Sequence, residues 1–277
     1  MDQYIYFDGK ILPAGSPLIS ADNRGLRYGD GLFETIKVVN NTILREQLHF
    51  ERLFQGMELL QFNIPPHCTA ASLASQVLQL CKKNKVEKAA RVRLTVLRGN
   101  GGLYDPEHLH PQIIIQTWAL PDNYMQLNEN GLVVDVCTGI AKSCDVLSHL
   151  KSNNYLPYIM AAFYAKKNRL NDALVLNSHN RVCDTTIANI FLVKDGQLVT
   201  PPLSEGCVAG VMRRYLLTVV AEAGYIIKEI PVTIEMIQSA NEMFLTNALY
   251  GIRWVKQCGE KTYSNQLSAE LYRRFVH

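Results

Sequence analysis

In the first part of the chain the apolar positions change period several times. Tyr4-Ile5-Tyr6-Phe7 and Lys10-Ile11-Leu12 flank Asp8-Gly9, the pattern of a tight hairpin between short strands. Thr35 to Val39 meets Asn40-Asn41 and returns through Thr42-Ile43-Leu44, a second hairpin. From about Gln47 to Phe62 the spacing turns helical. Phe50, Leu53, Phe54, Met57 and Leu60 recur along one side, and Pro65-Pro66 closes the segment. A second helix is predicted over Ala70 to Lys83, with Leu73, Val77, Leu80 and Cys81 on one face. Val92, Leu94 and Val96 alternate with Arg91, Arg93 and Thr95, a half-exposed strand, and Ile113-Ile114-Ile115 reads as a more buried one.

Between Trp118 and Gly131 the pattern lapses into Leu-Pro-Asp-Asn and then Asn-Glu-Asn-Gly, the composition of a linker. Beyond it the chain predicts a strand at Leu132 to Cys137, a helix from about Asn153 to Asn168 and a strand at Ala173 to Leu176. Ile190 to Val193 turns through Asp195-Gly196 into Leu198-Val199, and a helix from about Val211 to Ala223 ends at Gly224. Phe244-Leu245 and Ile252 to Val255 read as the last core strands. The division expected is an N-terminal α+β domain over 1–118, a linker over 119–130 and a C-terminal α/β domain over 131–277. Hairpins exclude purely parallel sheets, so two α+β lobes with mixed sheets and packed helices fit best.

Composition narrows the function classes. A formal net charge of +3 with dispersed basic residues argues against nucleic acid or an anionic membrane as partner. No apolar run is long enough to cross a bilayer, and Met1-Asp2-Gln3-Tyr4 opens without a secretory pattern, so a cytoplasmic protein is expected. Seven widely spaced cysteines with no CxxC pair read as reduced, mostly buried thiols. His108 and His110 lack the further convergent ligands that zinc needs, and no metal is expected.

The densest landmark is Asp22-Asn23-Arg24-Gly25-Leu26-Arg27-Tyr28-Gly29-Asp30-Gly31-Leu32-Phe33-Glu34-Thr35. His49-Phe50-Glu51-Arg52-Leu53 follows, then His149-Leu150-Lys151-Ser152-Asn153-Asn154-Tyr155, and Asp184-Thr185-Thr186-Ile187-Ala188-Asn189. Thr200-Pro201-Pro202, Gly210-Val211-Met212-Arg213 and Phe244-Leu245-Thr246-Asn247-Ala248 complete the series. In this order, over nearly the whole chain, the motifs resemble those of class IV aminotransferases, the fold-type IV pyridoxal-phosphate enzymes. That family includes branched-chain and D-amino-acid transaminases and 4-amino-4-deoxychorismate lyase. The resemblance implies a two-lobed, D-amino-acid-aminotransferase-like fold, pyridoxal 5'-phosphate between the lobes, and a homodimer with a partner loop near the site.

Such a cofactor demands a Schiff-base lysine, an acid opposite the pyridine nitrogen, a phosphate site and groups that orient the substrate. The resemblance makes Lys151 the Schiff-base lysine; the ordinary alternative is a solvated surface lysine, and Lys142 is the nearest rival. It pairs Arg52 with the phosphate, as suits a guanidinium fork, where otherwise Arg52 is a solvated helix residue with a buried stem. Backbone N–H groups of Val211 and Met212, at a helix start, and those of Thr246 and Asn247 would complete the phosphate site. Asp184 stands where the family usually has glutamate. One methylene shorter, it would hold the pyridine N–H directly or through a water; the alternative is a turn aspartate beside Asn180-Arg181. Tyr155 would donate to the cofactor's 3-oxygen.

Branched-chain transaminases show FEGIR where this chain has Phe33-Glu34-Thr35-Ile36-Lys37, and the Arg-x-His pair of D-amino-acid transaminases is absent. Arg98-Gly99-Asn100-Gly101-Gly102 is instead similar to the RGxGG loop of aminodeoxychorismate lyases, although a glycine-rich turn leaving a strand also explains it. The lyase, releasing pyruvate and 4-aminobenzoate, therefore stands slightly ahead of a transaminase using a 2-oxo acid acceptor. Tyr28, Arg93 and Arg98 are the candidates for holding carboxylates of a small-molecule amino substrate. A binding module without catalysis is disfavoured because Lys151 and Arg52 are both present.

Overall fold

The hairpin turns form where short polar residues accept left-handed backbone. Asp8 and Gly9 (φ 40° and 87°) join β1 (Tyr4–Phe7) to β2 (Lys10–Pro13). The short helix α1 (Arg24–Tyr28) is capped by the Asn23 side chain and ends on Gly29 at φ 68°. Asn40 and Asn41 (φ 48° and 58°) join β3 (Gly31–Val39) to β4 (Thr42–Ile43). Helices α2 (Glu46–Leu59) and α3 (Ala70–Lys83) precede the long strands β5 (Ala89–Arg98) and β6 (Pro111–Ala119).

The computed structural model describes residues 3–121 and 124–276, and the chain divides into two compact units. The first comprises Met1–Tyr124 with Lys151–Asn154, the second Met125–Leu150 with Tyr155–His277. Asp122 and Asn123, in the stretch expected as a linker, lie outside the described residues.

In the first unit six strands run in the order β2-β1-β6-β5-β3-β4, each antiparallel to its neighbour. One face of the β3–β5 ladder buries Ile36, Val38, Val92, Leu94 and Val96; Phe50, Leu53 and Met57 of α2 are buried as well. The other face carries the register pairs Phe33–Thr95, Thr35–Arg93 and Lys37–Arg91.

The second unit begins with β7 (Leu132–Lys142), α4 (Leu156–Lys167), β8 (Asp172–Asn177) and β9 (Val182–Thr185). There follow β10 (Asn189–Lys194), β11 (Gln197–Thr200), α5 (Val211–Glu222), β12 (Ile227–Glu229) and α6 (Ile234–Ser239). It closes with β13 (Glu242–Asn247), β14 (Gly251–Cys258), β15 (Lys261–Thr262) and α7 (Gln266–Phe275). The sheet order is β12-β11-β10-β13-β14-β7-β8-β9, with β15 on β14. It is mixed: β7 runs parallel to β8 and β14, and β11 to β12, while the remaining pairs are antiparallel. Stacked Phe191 and Phe244 anchor one apolar cluster with Leu216 of α5 and Leu271 of α7. Tyr158, Ala161 and Ala165 of α4 form another with Cys137 and Val175.

Helix α4 begins three residues later than the expected Asn153. Residues 151–154 are held extended along the start of β3: Phe33 N donates to Lys151 O (2.9 Å) and Asn153 N to Gly31 O (3.0 Å). A Cβ at Gly31 would collide with Val96 O and with the Asn153 side chain, so only glycine lets the segment lie there.

Candidate active site

In the first unit, Glu34 on β3 faces α2 and is almost wholly buried. It accepts from His49 Nδ1 (2.7 Å), Arg52 Nε (2.7 Å) and Arg52 Nη2 (2.5 Å). His49 and Arg52 lie three apart on α2 and so share a face. Burial pushes the Glu34 carboxyl up, but Arg52 and His49 outweigh it and the pKa is lowered to about 2. For His49 burial prevails over Glu34 and lowers the pKa, so at neutral pH the imidazole serves Glu34 as a neutral Nδ1–H donor. Arg52 thereby has its Nε/Nη2 edge fixed by a carboxylate.

On the opposite face of β3, the Phe33 ring is shared by two cations. Lys151 Nζ lies 4.3 Å from its centroid and the Arg93 guanidinium carbon 3.7 Å. Arg93 also donates to Thr95 Oγ1 (3.3 Å) and Asn153 Oδ1 (3.5 Å), while Asn153 Nδ2 is buried without a partner. Lys151 and Arg93 are thus brought together, with Asn153 beside them.

Arg98 is placed otherwise. It is 5% exposed, its Nε donates to both Asp30 oxygens (3.1 and 3.0 Å), Nη1 to Gln61 O (3.4 Å), and Nη2 to Leu60 O. All three nitrogens are thus engaged within the protein. The glycines after it are explained by backbone geometry: Gly101 and Gly102 hold φ of 89° and 75°, and Gly102 N donates to Glu107 (3.0 Å). Tyr28 stands against the Arg24 and Arg27 guanidiniums and 6.1 Å from the Tyr104 ring.

In the second unit Asp184, on β9, is 2% exposed and forms part of β9, not the turn at Asn180 that was its alternative. Its Oδ1 accepts from Asn189 Nδ2 (2.8 Å), and its Oδ2 from Tyr158 OH (2.8 Å) and Val208 N (2.8 Å). Burial pushes its carboxyl up, offset in part by Lys142 and these donors. Tyr155 occupies the N-cap of α4, with its ring 4.5 Å from that of Tyr158.

Asn189 also connects Asp184 to two features suited to a phosphate. It pairs in register with Thr246 on β13, and a Cβ on Gly210 would collide with its Oδ1. Helix α5 opens on Gly210 with no side-chain cap, leaving the N–H groups of Val211 and Met212 without intrahelical partners. Thr246 Oγ1 is buried and lacks any hydrogen-bond partner, a group that costs stability unless a ligand satisfies it. Asn247 turns its side chain inward to accept from Leu249 N and Tyr250 N, both at 3.0 Å. The residues present therefore fit a phosphorylated pyridine cofactor: an acid for the ring nitrogen, an uncapped helix start and an orphaned hydroxyl.

Glu34, His49, Phe33, Asn153, Lys142 and Tyr158 were not assigned a role from sequence. The i, i+3 spacing of His49 and Arg52 could have paired those two, and Phe33, Glu34 and Asn153 stand inside strings already singled out; nothing local marks Lys142 or Tyr158 as partners.

The model for the family Amino-transferase class IV matches residues 31–258. The chain is 31% identical over 233 residues to the aminodeoxychorismate lyase of Vibrio harveyi, covering 83% of each chain. It is 26% identical to the branched-chain-amino-acid aminotransferase of Pseudomonas aeruginosa, covering 88% of this chain and 81% of that one. The branched-chain aminotransferase of Thermoproteus uzoniensis, solved with norvaline, shares its fold: TM-score 0.87 at 24% identity, over 99% of this chain and 94% of that one.

Proposed function

The chain belongs to the class IV amino-transferase family and is a pyridoxal-phosphate enzyme, and from that premise we propose that it is a transaminase of α-amino acids, of the branched-chain or D-amino-acid type, using a 2-oxo acid acceptor. The observation that carries this reading is the shared Phe33 ring. An ammonium that handles amines and a guanidinium that suits carboxylates lie on one small aromatic surface. An α-amino acid carries both an amine and a carboxylate, the two groups that a lysine and a guanidinium beside one ring would serve. The loop that favoured the lyase has lost its weight, because Arg98 is internally committed and Gly101 and Gly102 answer to backbone geometry.

In this reading Lys151 would hold the cofactor covalently and, once released, carry the proton that leaves the substrate's α-carbon. Arg93 and Asn153 Nδ2 hold the substrate carboxylate. Arg52, oriented by Glu34 and His49, is one phosphate ligand in this reading, and the Val211 and Met212 N–H groups and the Thr246 hydroxyl are others. Asp184 accepts the pyridine N–H, so that the bound cofactor can act as an electron sink. Tyr155 donates to the 3-oxygen.

The reading extends to assembly and location. Leu156, Ile159, Met160 and Phe163 recur at helical spacing on α4 and are 71%, 44%, 47% and 61% exposed. A helix apolar on both faces has a second surface to cover, which supports a homodimer. Seven free cysteines, five of them buried, suit a reducing cytoplasm.

The test is a half-reaction on the cofactor-loaded protein. L- and D-amino acids are added separately and the absorbance is followed toward that of pyridoxamine phosphate; aminodeoxychorismate is then assayed for pyruvate release. Conversion by one series of amino acids is expected, and its chirality assigns the branch. Pyruvate release without conversion would replace the transaminase with the lyase, which the 31% relative keeps as the second reading. Lys151→Ala is expected to abolish the absorbance of the lysine-linked cofactor; retention would put the linkage elsewhere.

A further inference from the structure

Lys142, the last residue of β7, is 8% exposed, and a buried ammonium is costly unless its charge and donors are met. Its Nζ donates to Tyr158 OH (2.5 Å) and lies 3.6 Å from Asp184 Oδ2. Tyr158 OH in turn donates to that same oxygen at 2.8 Å. A phenol can accept one hydrogen bond while donating another, so β7, α4 and β9 are tied into a directed chain: ammonium to hydroxyl to carboxylate.

An ionised carboxylate has about four acceptor directions. Asn189 takes one on Oδ1, while Tyr158 and Val208 N take two on Oδ2. The remaining direction is on Oδ1, whereas Lys142 approaches Oδ2. Besides Lys142, the titratable groups around Asp184 are Tyr158 and Tyr155 on α4, Cys183 on its own strand and Cys207 in the loop before α5. Lys142 is the cation that lowers the Asp184 carboxyl against its burial.

We propose that Lys142 is a positioning residue which, through Tyr158, fixes the Asp184 carboxylate as an anion with one acceptor direction kept for the pyridine nitrogen of the cofactor. This rests on the reading above that Asp184 faces that nitrogen. It gives a shorter carboxylate a rigid setting in place of reach, and it accounts for a buried lysine that takes no part in the chemistry of Lys151.

The experiment uses the holoenzyme loaded with pyridoxal phosphate carrying 15N in the ring. It compares wild type, Lys142→Met, Lys142→Arg, Tyr158→Phe, Asp184→Asn and the Lys142→Met/Asp184→Asn double variant. The readouts are the 15N shift, which reports the proton on the pyridine nitrogen, and the cofactor dissociation constant. Asp184→Asn is expected to lose the protonated signature and weaken binding roughly 10- to 100-fold, the scale of a charge-assisted hydrogen bond. Lys142→Met should reproduce the altered shift and part of that loss, add less than about twofold in the Asp184→Asn background, and be rescued by Lys142→Arg. A wild-type shift in Lys142→Met, or effects that multiply in the double variant, would overturn the proposal and leave Lys142 a packing residue. If Asp184→Asn itself keeps the wild-type shift, the assignment of Asp184 fails, and this inference with it. Should Lys142→Met not fold, Tyr158→Phe carries the test: it keeps the ring volume, breaks the chain, and must alter the shift.

Discussion

Glu34 shows how much a single buried charge organises. It joins a strand to a helix through His49 and Arg52, and its pKa, lowered to about 2 from 4.5, has a consequence for stability. A carboxyl that ionises more readily in the folded than in the unfolded chain contributes stability that is fully present above pH 4.5 and is lost as the pH falls toward 2. Glu34→Gln should therefore flatten the acid limb of a urea-unfolding series over that window. At neutral pH it should cost on the order of 3 kcal/mol, because Arg52 keeps its charge without its partner. Identical acid limbs in the two proteins would remove Glu34 from this role. At the same scale, motif order singled out Lys151, Arg52 and Asp184, since each sits in a distinctive local string. Lys142 and Tyr158 could not be read, because their partner lies on another strand.

At the scale of elements, periodicity located α2, α3 and α5 well, each having one buried face and one solvated face. It was less informative for α4, which is apolar all round. The buried side, Tyr158 and Ala161 and Ala165, packs in its own unit, and the stripe from Leu156 to Phe163 does not. In the homodimer proposed above, Phe163→Asp should give a monomer in sedimentation equilibrium while leaving the far-ultraviolet spectrum unchanged. A variant that still sediments as a dimer would show that α4 is not the interface. Helix α4 starts later than its pattern predicts because the backbone of Lys151, Ser152 and Asn153 is claimed by β3.

Across the whole molecule, ligand binding should be visible in the melting behaviour. A cofactor at a hundred times its dissociation constant stabilises the folded state by about 2.7 kcal/mol. In a chain of this length that raises Tm by several degrees, on the order of 2 to 4 °C per kcal/mol. Thr246→Val is informative here. Its hydroxyl has no partner in the free protein, so the apoenzyme should melt at or above the wild-type temperature, yet gain less from pyridoxal phosphate in calorimetry. An equal gain in both proteins would take Thr246 out of the phosphate site.

Local sequence determined the hairpins, because Asp-Gly and Asn-Asn accept positive φ, and the principal helices, because their apolar residues recur at helical spacing. Motif order over the whole chain was enough for the family and its cofactor. What only the tertiary structure decided is where each charge finds its partner. Arg93 and Arg98 lie on the same strand, five residues apart and so on opposite faces, but their partners cannot be read from that pattern. One lies over the Phe33 ring beside Lys151, while the other is enclosed by Asp30 and the carbonyls of Leu60 and Gln61. Alternation along a strand dictates which face a side chain takes. The groups that wait on that face come from distant parts of the chain, and they decide whether a buried charge serves the fold or a ligand.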